Sequence, residues 1–413
     1  MAALVAAADV GERAGAWVRG EVDLRGRPTY VPRAPVVRET LLAIDHARLH
    51  ADLLPRWMAD AADGVGPQAG GARLAEVRAL VAGEPNLAAL VDALAATLRA
   101  PRSRARAERF AYLVWAWNTY LDRAGVPFRM EASGRTSPRR QLLYVRTYRT
   151  VATIPASAGD RPLRARVLTR LDHLAGVAAS LGITTSADEG ALVLAERTRV
   201  VAENQVWPLL ADEIDPDGST LDAVFGEAIR EEASRALAPG HVEVLRRTAG
   251  DRRVVLRGKD GAEATAARER LAAEPGLGDA LGALSAWVTR AVAVHELRHA
   301  ADLQRGDATP RCTGCSPALG STARAELSAY LAGVADASVS ALSLYQACAG
   351  AQPGAPAGAA VAALSPRVLP DGCAGGPPRD AAARATALSV ELYGGRPPVV
   401  IGDVPVRLAA GGS

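Results

Sequence analysis

The segment from Gly278 to about Arg305 restricts the fold more than any other, because Leu284, Trp287, Val288, Ala291, Val292 and Val294 make its turns apolar over most of a helix surface. A helix of that kind belongs in a core. It runs straight into Val294-His295-Glu296-Leu297-Arg298-His299-Ala300, and polar side chains at the end of a buried helix need partners. Residues four apart lie one turn above each other, so His295 and His299 can turn imidazole nitrogens toward one tetrahedral metal ion. Glu296 then projects beside the ion, placed to take a proton from water. In a chain with 6 histidines among 413 residues, this HExxH pattern arises by chance on the order of once in 200 sequences of like composition. The alternative reading is a pair of surface histidines on an amphipathic helix.

Zinc sites that hydrolyse keep three protein ligands and leave the fourth position to water. Asp302 follows His299 by three residues and reads as a group that orients an imidazole N–H, since a ligand there would have to reach back along a straight axis. Glu326 is the better third ligand. It stands early in a second helix, Thr322-Ala-Arg-Ala-Glu326-Leu-Ser-Ala-Tyr330-Leu-Ala, whose Leu327, Tyr330, Leu331 and Val334 read as core. The loop 306–321 lets this helix pack back on the first.

This arrangement resembles the gluzincin group of zinc metallopeptidases, whose members carry HExxH on one helix and a glutamate ligand on a following helix. The resemblance covers about Gly278 to Tyr345, with a hairpin over His241 to Arg257 as the sheet that would flank a substrate cleft. It implies one zinc per chain held by His295, His299 and Glu326, with Glu296 as general base and a peptide or protein as substrate. Tyr330 occupies the place where the extended signature of that group has an aspartate, four residues after the glutamate ligand. Peptide hydrolysis also needs a donor for the developing oxyanion. Tyr330, one turn beyond Glu326, is the first choice, ahead of Tyr345, Tyr393 and His241.

At roughly 150 residues per domain the chain holds two to three domains, and its 49% hydrophobic and 23% charged residues are those of a folded globular protein. The expected fold class is α+β and predominantly helical. A helix-rich N-terminal region, residues 1–215, carries one β-hairpin at about 127–154. A zincin-like α/β metallopeptidase domain with a small hairpin or sheet and an HExxH active-site helix follows at 216–413, the boundary falling at Asp215 to Gly218. Helical spacing is read for Val36 to Ala59, Leu163 to Leu181, Ala187 to Ala211 and Thr322 to Cys348, among others. His241 to Arg247 and Arg252 to Arg257, separated by Thr-Ala-Gly-Asp, read as the second hairpin. Ala349 to Arg379 reads as a Pro/Gly-rich connection.

The net charge is +3 and Lys259 is the only lysine, so arginine is the general-purpose polar residue of this chain. The arginine clusters Arg99 to Arg109 and Arg135 to Arg149 are therefore read as solvated faces, and no nucleic acid partner is expected. Asp45-His46-Ala47-Arg48-Leu49-His50 repeats the four-residue histidine spacing but has Ala47 where a base would stand, and reads as a solvated helix face. No run of eighteen apolar residues marks a transmembrane segment. Cys312, Cys315, Cys348 and Cys373 are an even number without a second close pair, which favours two disulfides over a zinc ribbon and leans toward an extracytoplasmic location. A second functional reading is a non-catalytic binding or scaffold protein with a structural or vestigial metal.

Overall fold

The computed structural model describes residues 29–63, 67–136, 141–172, 181–184, 190–213, 215, 218–258, 261–307 and 309–405. It divides into two compact units, one made of Met1–Thr150 with Thr169–Val177 and the other of Val151–Leu168 with Ala178–Ser413. The division does not fall at Asp215 to Gly218. At Thr150 the chain leaves the first unit in the middle of a strand.

In the first unit, α1 (Leu54–Asp63), α2 (Pro67–Val81), α3 (Pro85–Arg99) and α4 (Arg104–Arg123) precede a hairpin of β1 (Phe128–Thr136) and β2 (Gln141–Ala158). Side chains start the helices. Glu84 accepts the Leu87 N–H at 2.6 Å and Ser103 accepts the Arg106 N–H at 3.0 Å, each satisfying an orphan donor of a first turn. β1 and β2 pair antiparallel from Phe128↔Arg149 to Thr136↔Gln141, as their β-branched and aromatic content leads one to expect. The core of the unit packs Phe110, Trp117 and Tyr120 against Met130, Leu143 and Val145.

His46 and His50 do not lie on a solvated face; both are buried. His50 Nδ1 donates to the His46 carbonyl at 2.9 Å while its Nε2 accepts the Trp117 indole N–H at 3.2 Å, and its ring stacks on Phe128. Burial drives its pKa down to about 3, so it is neutral, and neither nitrogen is left for a metal. Arginines of the sequence clusters serve as structural partners: Arg106 donates to the Thr97 and Leu98 carbonyls at the end of α3, and Arg146 pairs with Glu131 at 3.4 Å. Arg139 and Arg140 lie outside the described residues.

In the second unit, the second half of β2 is joined by β3 (Arg161–Arg170), β4 (Gly182–Thr184), β5 (Ala191–Leu194) and β6 (Val399–Ile401). The strand order is β2-β3-β5-β4, with β6 antiparallel to β2 through Ala156↔Ile401, β3 parallel to β5 and β4 antiparallel to β5. Two helical expectations fail here. Leu163, Ala165 and Val167 alternate into the core, a spacing that also matches a helical i, i+4 pattern, and 173–180 lie outside the described residues. Ala191–Leu194 is a four-residue strand buried throughout, and a short apolar run of that kind cannot be told from a helix by period. Helix α5 (Ala195–Val201) begins only after it.

Helices α6 (Thr220–Ala236), α7 (Pro239–Arg257), α8 (Ala262–Ala273), α9 (Leu277–Gln304), α10 (Ser321–Ala335), α11 (Ser340–Gly350), α12 (Pro356–Val368) and α13 (Ala381–Tyr393) complete the unit. The second hairpin expected at 241–257 is the helix α7. Its buried Val242, Leu245, Thr248 and Ala249 keep helical spacing, and Pro239 starts it at a position where no N–H is needed. The helix expected over 322–348 breaks at Asp336, whose carboxylate accepts from the Ser338 N–H and hydroxyl while Arg290 and Trp287 of α9 bind Asp336 and the Ser338 carbonyl. Within the expected connection 349–379, the alanine-rich α12 forms behind Pro356.

Helix α9 lies in the interior, as its composition requires. Ala293, Leu297 and Ala300 face Ala165, Val167 and Val193 of the sheet, and Leu284, Trp287 and Val288 join Leu327, Leu331 and Leu342 of α10 and α11. Each such buried Leu or Val contributes about 1.5–3 kcal/mol. Among the described residues it is the one helix long and apolar enough to cross a membrane, and 67% of its apolar window is buried inside the protein. Disulfides join Cys312 to Cys315 and Cys348 to Cys373, with Cα separations of 5.6 and 5.8 Å.

Candidate metal centre

One turn of α9 places His295 above His299, and the second turn of α10 brings Glu326 to both. The two Nε2 atoms are 3.3 Å apart, His295 Nε2 is 3.4 Å from Glu326 Oε2, and His299 Nε2 is 3.7 Å from Glu326 Oε1. A tetrahedral ion with bonds of about 2.0–2.2 Å holds its ligand atoms about 3.3–3.6 Å apart. Two imidazoles and a carboxylate at these spacings could hold such an ion, and among the described residues they are the group of three side chains with donor atoms close enough to do so. Burial pulls the His299 imidazole down to about 4, helped by the neighbouring His295. Burial acts the same way on His295, but hydrogen bonding to Glu326 and the charge of Glu296 outweigh it and raise its pKa.

Glu296 is held beside this group by the strand β4 and not by a ligand role. Its Oε2 lies 2.8 Å from the Thr184 hydroxyl, which also approaches the Glu296 carbonyl at 2.9 Å. Gly182 comes so close that a Cβ there would stand 2.5 Å from Glu296 Cγ and 2.9 Å from Oε1. Burial raises the pKa of the carboxyl, while His295 and the Thr184 hydrogen bond act in the lowering sense. Gly182 and Thr184 are absent from the sequence reading. They stand more than a hundred residues before Glu296 and match no spacing rule, and the segment expected as the hairpin flanking the cleft, 241–257, is part of α7.

Tyr330 packs its ring on His295 with centroids 5.0 Å apart. Burial, then the charge of Glu326, pushes its pKa up to about 12, so the hydroxyl keeps its proton. Asp302 does not orient an imidazole. It accepts from Arg298 Nη2 at 2.5 Å, Arg396 Nη1 at 2.6 Å and the Ser328 hydroxyl at 3.0 Å, because Arg298 stands one turn before it on the same helix face. This network ties α9, α10 and the segment after α13 together. Tyr345 donates to Asp222 at 2.9 Å and Tyr393 to the Arg324 carbonyl at 2.8 Å; His241 lies in the first turn of α7. None of these three lines the cleft.

Two cavities flank the centre and share Gly182, Glu296, Thr322 and Glu326 as common wall. One, of about 550 Å³, passes His295 and Tyr330 toward α11; the other, of about 480 Å³, passes His299 and Thr184 toward Pro310. A separate cavity of about 300 Å³ beside Asp222, Arg230 and Tyr345 contains none of the three metal-binding side chains. Comparison of the chain with protein-family models, with curated proteins and with solved structures finds no match, and the reading of the site rests on its own geometry.

Proposed function

We propose that this chain is a zinc-dependent metallopeptidase that hydrolyses peptide bonds within a zincin-like second unit. The observation that carries the reading is a buried carboxylate, Glu296, fixed by β4 beside a three-donor group to which it does not belong. Zinc bound by His295, His299 and Glu326 supplies a Lewis acid that makes water nucleophilic near neutral pH. Glu296 takes the proton released as water attacks the carbonyl and returns it to the leaving amine. Tyr330, whose ring packs on His295 and whose hydroxyl keeps its proton, is our choice of donor for the developing oxyanion. The cavities on both sides of the centre accommodate chain before and after the reacting bond, which favours internal bonds of a peptide or protein.

Purification without chelators should yield about one zinc per chain, with cleavage of a quenched-fluorescent peptide pool that 1,10-phenanthroline stops and added zinc restores. A protein that takes up no transition metal on titration excludes the proposal. Zinc retained without hydrolysis of any peptide favours the non-catalytic binding or scaffold reading instead.

Gly182→Ala provides a second check, because the added methyl group must displace the Glu296 side chain. Hydrolysis should fall by about 10²-fold, the scale of a misplacement near 1 Å, with zinc content unchanged. Wild-type rates in this variant would mean that β4 does not position the base.

A further inference from the structure

Three polar side chains spaced three apart along α11, Ser340, Ser343 and Gln346, each bury an atom without a hydrogen-bond partner among the described residues: the two hydroxyl oxygens and Gln346 Nε2. Buried polar atoms are almost always paired, and leaving one unmatched is costly. Ser343 and Gln346 line the 550 Å³ cavity that begins at His295 and Tyr330. Ser343 is only 7% exposed. Opposite it, Gly333 has no side chain to crowd the hydroxyl, since a Cβ there would stand 2.9 Å from Ser343 Oγ, and a turn of the buried Ser343 side chain brings that oxygen to the cavity. Ala291, Val292 and Ala329 make the rest of this wall apolar. Among the described lining residues there is no arginine or lysine, and the ionisable side chains are Glu296, Glu326, His295 and Tyr330.

We infer that this cavity selects a carboxamide side chain, glutamine or asparagine, on the substrate residue next to the cleaved bond. The inference rests on the metallopeptidase reading and names the substrate class of the same site. A carboxamide has one acceptor oxygen and two N–H donors, so its oxygen accepts from Gln346 Nε2 while its nitrogen donates to Ser343 Oγ. One group thereby satisfies two unmatched atoms. The amide of Gln346 and that of the ligand are complementary in either orientation, so the pairing survives an exchange of the Gln346 nitrogen and oxygen. A carboxylate reaching α11 would find no arginine or lysine among the described lining residues to pair with. An aliphatic side chain fills the space but leaves Ser343 and Gln346 unmatched, and a site built to hydrogen-bond rejects such an analogue strongly.

The test uses near-isosteric pairs, Gln against Met and Asn against Leu, at that position of fluorogenic peptides and of uncleavable phosphinic peptides, with the zinc-loaded full chain. The carboxamide member should win by about 10- to 100-fold, both in kcat/KM and in the calorimetric Kd of the phosphinic peptide. Ser343→Ala combined with Gln346→Leu should bring the ratio to one or invert it at unchanged zinc stoichiometry. If that double variant does not fold, Ser343→Ala alone should remove part of the preference. Equal affinity for Gln and Met, or preference for Met or for a charged residue, overturns the inference, and zinc-dependent cleavage in that case leaves the peptidase reading intact. No cleavage of any peptide, with no binding of any phosphinic peptide, overturns both.

Discussion

Glu296→Gln should lower hydrolysis by about 10²-fold or more while the protein still carries its zinc. Glutamine keeps the shape of the side chain, and its amide oxygen can still accept from the Thr184 hydroxyl, 2.8 Å away in the native protein. What it lacks is a basic oxygen. Opposing influences act on the native carboxylate: burial favours its protonated form, while His295 and Thr184 favour the ionised form. Parallel measurement of bound zinc and of kcat decides the matter. Loss of both would make Glu296 a ligand or a structural group, and undiminished hydrolysis would place the activity at another site.

Glu326→Ala should strip the ion. The variant keeps two imidazoles of the three donors, and zinc affinity should fall by more than the about 10- to 100-fold typical for loss of an outer group. Asp302→Ala should act on a different quantity. It leaves the donors untouched but removes the carboxylate that Arg298, Arg396 and Ser328 share, and breaking a buried charge pair from one side costs about 3–5 kcal/mol of stability. Zinc competition against a chelator of known affinity, together with thermal unfolding, separates the two: affinity falls in Glu326→Ala and Tm in Asp302→Ala. Equal loss of zinc in the Asp302 variant would reverse the assignment of ligand and support.

The three side chains that could hold a metal are readable in the sequence because they obey local rules. His295 and His299 follow helical spacing within a helix too apolar to lie outside, and Glu326 is a carboxylate among core residues of the next helix. The partners of these residues obey no local rule. Asp302 is three residues from His299, yet Arg298 on its own helix captures it first. Thr184 and Gly182 reach Glu296 through the pairing Gly182↔Val193, a contact between a three-residue strand in the gap between two expected helices and a strand inside one of them. The reverse error occurs at 241–257, where Thr-Ala-Gly-Asp has the composition of a turn but Leu245 and Ala249 are fully buried within α7. Packing decides these cases, and packing involves residues far apart in sequence.

The bond between Cys348 and Cys373 closes a loop across 25 positions, and Gly350, Ala355, Pro356 and Ala357 within that loop form part of the 550 Å³ cavity. A covalent closure of this size removes about 3 kcal/mol of chain entropy from the unfolded state. His295, His299 and Glu326 all lie outside the loop. Reduction of this bond should therefore loosen the wall of that cavity while leaving the spacing of His295, His299 and Glu326 in place, which peptide preference and zinc content measured with and without reductant would check.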